Sequence, residues 1–116
     1  MPYYEQDLRA RPGLTEALNN LGGVLQRLGR RDEAIAQFRE AVRQAPADPD
    51  YHRNLGGALA SAGRLDEAVA ELRRAVELKP DSAELHRLLA QALFESGRMP
   101  EATAERAAAE RLQAKP

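Results

Sequence analysis

The chain has 116 residues, the size of about one domain, and its 17 basic and 18 acidic side chains leave a net charge of -1. That balance offers no overall attraction to a polyanion, so nucleic acid is not an expected partner. Cysteine is absent, which excludes disulfides and thiolate metal sites, and no run of eighteen apolar residues is present to insert into a membrane.

Only 4% of the residues are aromatic, with no Trp, so a core must come from Leu, Val and much Ala, side chains that suit closely packed helices. No N-terminal signal pattern is visible, which makes the cytoplasm the expected compartment. The bases are Arg apart from Lys79 and Lys115, and with the abundant Ala this composition points to a bacterial source.

In chain order, Tyr4, Leu8 and Pro12 come first and read as the end of a helix. Leu18, Leu21, Leu25 and Leu28 then recur at helical spacing and predict one apolar core stripe, which Gly29 ends. Asp32 and Glu33 suit a helix N-terminus. The helix they open carries Ala34, Ile35, Phe38, Ala41, Val42 and Ala45 on one face until Pro46. Asp48 before Pro49 pairs a cap with a favoured first helical residue. A second pair follows, with Ala68, Val69, Leu72, Ala75 and Val76 as core and Pro80 as stop. Asp81 with Glu84 predicts a capping box for the next helix.

These elements repeat. A shift of thirty-four residues aligns Pro12 with Pro46 and Pro80, and Gly29 with Gly63 and Gly97. It also aligns Leu21 with Leu55 and Leu89, and Ala34 with Ala68 and Ala102. The period and its residues resemble the tetratricopeptide repeat family. Leu18, Leu21, Gly22, Leu25, Ala34, Phe38, Ala41 and Pro46 match its pattern in one unit, and His52, Leu55, Gly56, Leu59, Ala68, Leu72, Ala75 and Pro80 in the next. The third keeps Leu89, Leu93, Gly97, Ala102 and Ala109, with Ala90, Arg106 and Ala114 departing from it.

The resemblance implies an all-α, right-handed superhelical solenoid of antiparallel helix pairs. Residues 1–14 are then the second half of a preceding repeat, and 15–48, 49–82 and 83–116 are three repeats. The last ends in a polar capping helix with Glu101, Glu105, Arg106, Glu110 and Arg111. A homo-oligomer through the exposed N-terminal half repeat is a further expectation.

The resemblance also implies that the first helices line a concave face that holds a peptide or partner segment. On this sequence that face takes Glu16, Asn19, Asn20, Gly23 and Arg27 from the first unit, and Asp50, Arg53, Asn54 and Gly57 from the second. Arg87 and Gln91 come from the third. Gly22 and Gly56 resemble the small residue that lets paired helices approach, whereas Gly23 and Gly57 have no such slot and each cost roughly 1 kcal/mol against Ala.

Asn20 and Asn54 present an amide donor and acceptor, as an extended backbone requires, and resemble the Asn ladder of glycosyltransferase-type repeats. Leu88 interrupts that ladder. An ordinary solvated surface explains the same pair, and the helix dipole explains Glu16, Asp50 and Glu84. The family's carboxylate clamp for chaperone tails is not expected, since Glu84 and Leu88 stand at two of its slots.

His52 and His86 are expected to pack at the helix edge rather than hold a metal, and Phe94 to pack on the last helix. No nucleophile is paired with a base and no phosphate-cradling loop is present, so neither catalysis nor a cofactor is expected. The leading expectation is a protein-interaction scaffold. The alternative is a self-associating assembly or targeting segment of a larger protein, including an accessory region beside a transferase domain.

Overall fold

The computed structural model describes residues 12–114, among which there are six α-helices and no strand. They are α1 (Pro12–Arg27), α2 (Arg31–Gln44), α3 (Pro49–Ser61), α4 (Leu65–Leu78), α5 (Ala83–Glu95) and α6 (Met99–Ala114). Helices pack as the antiparallel pairs α1/α2, α3/α4 and α5/α6, and each pair stacks on the next through α2/α3 and α4/α5. This is the expected all-α solenoid. The half repeat expected over residues 1–14 lies outside the described residues, save that Pro12, Gly13 and Leu14 belong to α1.

The turn inside each pair is set by one glycine column. Gly29, Gly63 and Gly97 have φ of 80°, 79° and 86°, the left-handed region that a Cβ makes costly. At the first turn, Arg30 N–H donates to the Leu25 carbonyl at 2.9 Å and Gly29 N–H to that of Gln26 at 3.0 Å. The same two bonds recur at Gly63 and Gly97, so each first helix closes in a Schellman motif that aims the chain back along itself.

The starts of α3 and α5 carry side-chain caps, whereas those of α2 and α4 have none. Asp48 accepts from Asp50 N–H at 2.9 Å with Pro49 in the first turn, as expected. The α5 cap is not Asp81: Ser82 holds the cap position and its Oγ accepts from Leu85 N–H at 3.2 Å. The hydroxyl one residue later already reaches the third helical amide, which leaves Asp81 exposed.

The core is a chain of small clusters between pairs. Ile35, Phe38, Leu55, Ala58 and Leu59 form one, and Val69, Leu72, Leu89, Ala92 and Leu93 the next. Leu55, Leu59, Leu89 and Leu93 are the largest fully buried side chains, so the first helices of the second and third pairs plug into the second helix before them. Of the stripe expected on α1, only Leu25 is buried; Leu18 is half-buried, while Leu21 and Leu28 remain 45% and 65% exposed. The reason is positional. Leu55 and Leu89 are covered by α2 and α4, and among the described residues no helix precedes α1 to cover Leu21.

Two glycines allow the pairs to close. A Cβ on Gly22 would stand 2.7 Å from the Phe38 ring, and one on Gly56 2.7 Å from Leu72 Cγ. In the third pair Ala90 takes this place, and the α6 residue at the Phe38 and Leu72 position is the exposed Arg106. α6 buries only Ala102 and Ala109 among its residues.

Candidate functional site

The first helices α1, α3 and α5 are tied to one another by polar side chains. Asn54 Nδ2 donates to Asn19 Oδ1 at 3.0 Å, joining α3 to α1. Arg53 Nη2 donates to Asn54 Oδ1 at 3.4 Å, and its Nη1 reaches Glu84 Oε1 on α5 at 3.2 Å. One line of hydrogen bonds therefore runs across three helices. It fixes the Asn54 amide at both its donor and its acceptor.

Beside this line lies a cleft of about 350 Å³ between α1 and α3, floored by Phe38 and lined by Asn19, Asn20, Gly23, Val24, Gln26, Arg27 and Asn54. Gly23 opens it. A Cβ there would lie 4.0 Å from Arg27 Nη1 and touch nothing else, and one on Gly57 would meet nothing within 4 Å. Neither glycine is demanded by packing, unlike Gly22 and Gly56 one residue earlier. Asn20 points outward and, among the described residues, is bonded to no other side chain.

The eleven residues expected on this face thus divide. Asn19, Asn20, Gly23, Arg27 and Asn54 converge on the α1/α3 cleft. Arg53 bridges from Asn54 to α5, while Arg87 and Gln91 line a second cleft between α5 and α6. Glu16, Asp50 and Gly57 line neither.

Glu16 and Asp50 act on a residue the sequence did not single out. Tyr51 is half-buried, and its hydroxyl is pushed above the ordinary tyrosine value by burial and then by the negative charges of Asp48, Glu16 and Asp50. An aromatic beside Asp50 and off the core stripe was the available signal.

The second cleft holds about 490 Å³, and its lining includes Phe94, Met99, Thr103 and Arg106. Phe94 does not pack on the last helix as expected but stays 59% exposed. Of the α6 residues that line the same cleft only Met99 is a large apolar side chain, and it is itself exposed, so the ring is left largely uncovered. Met99, Thr103 and Arg106 were visible from the sequence only as part of a polar helix.

His52 and His86 are largely buried, each with both ring nitrogens engaged. His52 Nε2 donates to the Pro46 carbonyl at 2.7 Å and Nδ1 meets Glu71 Oε1 at 2.8 Å. His86 repeats this with Pro80 at 2.7 Å and Glu105 at 2.7 Å. A carbonyl only accepts, so Nε2 is the donor to it, and Nδ1 faces the carboxylate. No ring nitrogen is left as a metal ligand. These imidazoles pin each helix pair to the loop before it, in the edge position expected of them.

Comparison with known proteins agrees with this architecture. Two family models, each described as a tetratricopeptide repeat, match residues 19–83 and 59–115. No curated protein matches the chain. Among solved structures, a mutant of MamA is 27% identical with a TM-score of 0.80, over 93% of this chain and 79% of that one. MamA AMB-1 is 26% identical with a TM-score of 0.81, over 97% of this chain and 61% of its own. The Yersinia enterocolitica type III secretion chaperone SycD, in complex with a peptide of the translocator YopD, shares the fold at 19% identity, with a TM-score of 0.84 over 90% of this chain and 80% of that one. None of the helices among the described residues is long and apolar enough to cross a membrane. With its period, its glycine turns and its stacked helix pairs matched by two family models, the chain belongs to the tetratricopeptide repeat family.

Proposed function

We propose that this chain is a scaffold that holds an extended segment of a partner protein across α1 and α3, seated in the cleft between them. The observation that carries this reading is the α1/α3 cleft itself, in which Asn20 and Arg27 surround the space left by Gly23 over a Phe38 floor. Asn20 offers a free amide to a peptide backbone, and Arg27 offers a planar cation to a carboxylate or carbonyl. Asn19 and Asn54, bonded to each other, form a fixed wall rather than a second free rung. Fixed groups lower the ordering cost of binding. The SycD structure supports the capacity of this fold to hold a peptide.

The test is a selection of random peptides displayed against the full chain, with affinities remeasured on Gly23→Leu, which fills the cleft from a helical position where a side chain meets open space. The expected result is a loss of about tenfold or more, equivalent to about 1.4 kcal/mol, with helicity unchanged. Peptides that bind the filled variant as tightly as the original would place the site elsewhere.

A further inference from the structure

Six large apolar side chains remain exposed among the described residues, and all lie at the two ends of the array. Leu14, Leu21, Val24 and Leu28 are on α1 or just after it, and Phe94 and Met99 stand where α5 turns into α6. The central pair, α3 and α4, has none. A molecule with apolar surface at both ends and none between has two candidate contact faces.

The two interfaces already inside the molecule show how such faces fit. α3 seats Leu55, Ala58 and Leu59 against Ile35 and Phe38 of α2, and α5 seats Leu89, Ala92 and Leu93 against Val69 and Leu72 of α4. The same three positions on α1 are Leu21, Val24 and Leu25, of which the first two are 45% and 41% exposed. At the other end, the α5/α6 cleft of about 490 Å³ occupies the place that the inner pairs fill with the next first helix. One end presents the face that docks, and the other presents the seat.

We propose that α1 of one copy docks into the α5/α6 cleft of a second copy, so that stacking continues head to tail between molecules. The charges agree with this register. Arg53 pairs with Glu84 at 3.2 Å across the α3/α5 step. Advancing both positions by one repeat sets Arg87 opposite Glu16 of the incoming copy. Among the described residues neither Arg87 nor Glu16 has an ion pair.

The seat is more polar than its inner counterparts, since Thr103 and Arg106 stand where α4 has Val69 and Leu72. Phe94, Met99 and the aliphatic stem of Arg106 then supply the apolar contact. The association is therefore weak and concentration-dependent, and because the contact is heterologous it does not close into a dimer. It uses the ends of the array and shares only Val24 with the lining of the α1/α3 cleft, and its test reads mass rather than peptide affinity, so the two proposals fail separately.

The test is sedimentation of the full chain from about 1 µM to about 1 mM, the range of weak association. The wild type is expected to rise above its monomer mass of 12.8 kDa, whereas Leu21→Glu and Phe94→Glu each stay monomeric across the range. Mixing those two variants is expected to restore association that stops at twice the monomer mass, because one keeps an intact α1 face and the other an intact seat. Arg87→Glu is expected to weaken wild-type association and Glu16→Arg to recover it in the double variant; both faces stay apolar, which keeps the comparison informative if either the Leu21 or the Phe94 variant misfolds. A wild type that is monomeric at the highest concentration, a mixture of folded variants that stays at monomer mass, or a charge reversal without effect would each overturn the proposal.

Discussion

Asn54 donates its amide hydrogen to Asn19 across the α1/α3 step at 3.0 Å and receives Arg53 at 3.4 Å, whereas Asn20, one residue after Asn19, has no side-chain partner among the described residues. Two asparagines that look equivalent at a thirty-four-residue spacing therefore have different jobs. Asn54 sets the register between helices, and Asn20 is available to a ligand.

Stability measurements should separate them. Asn54→Ala removes an interhelical bond and leaves Asn19 with one fewer partner, for an expected loss of about 0.5–1.5 kcal/mol. Asn20→Ala alters an exposed helical position and should fall within about 0.5 kcal/mol of wild type. Denaturant unfolding of both variants is the check, and equal losses would mean that the Asn19 bond adds nothing.

The adjacent glycines Gly56 and Gly57 should respond to alanine with opposite signs. At Gly57 a Cβ meets nothing within 4 Å, so Gly57→Ala recovers helix propensity and is expected to stabilise by roughly 1 kcal/mol. At Gly56 the same atom would stand 2.7 Å from Leu72 Cγ. Leu72 is 2% exposed in a packed cluster and has little room to yield, so Gly56→Ala is expected to cost about 1–3 kcal/mol. A shift of thermal midpoint in the same direction for both would contradict the steric assignment.

That contrast also marks how far the sequence could be read. The period placed every turn glycine, and Gly22 and Gly56 were recognisable as close-approach positions by their resemblance to the family's small residue; the structure sets them against Phe38 and Leu72. The α1 stripe was misread for a physical reason: periodicity shows which residues share a face, but not whether another helix covers that face. Leu21 and Leu55 are indistinguishable by pattern and differ in that, among the described residues, a helix stands in front of Leu55 alone. Side-chain bonds were equally illegible. Nothing in the spacing says that Asn54 turns toward Asn19 or that Phe94 stays exposed beside α6, although the thirty-four-residue shift itself sets Ser82, not Asp81, in register with the cap Asp48.

His86 provides a double-mutant test of the repeated imidazole link. Its ring joins Glu105 on α6 to the Pro80 carbonyl, and the matching position in the first pair is Leu18, so a leucine suits the space. His86→Leu removes both bonds and leaves a partly buried carboxylate without its donor, for an expected cost of about 1–3 kcal/mol. Glu105→Leu should cost less, because His86 retains Pro80. The double variant is expected to cost less than the sum of the two, a coupling that chemical denaturation reads directly; strict additivity would mean that ring and carboxylate do not interact.

Acid titration tests the surface link between the second helices. Glu67 accepts from Arg39 of α2 at 2.9 Å and from Arg64 at 2.8 Å, and these bonds, that of Arg39 foremost, hold its carboxyl below the ordinary value of 4.5. A carboxyl depressed in the folded state contributes stability that is present above its unfolded pKa and is lost as pH falls through the folded one. Arg39→Ala should therefore move the Glu67 midpoint upward, toward the ordinary value, when side-chain carboxyl carbons are followed by NMR. Glu40 is an internal control: it is lowered first by its bond from Arg43 and further by Gln44, neither of which Arg39→Ala touches. An unchanged Glu67 midpoint would show that Arg64, within its own helix turn, accounts for the shift alone, and that the α2/α4 ion pair is not held in solution.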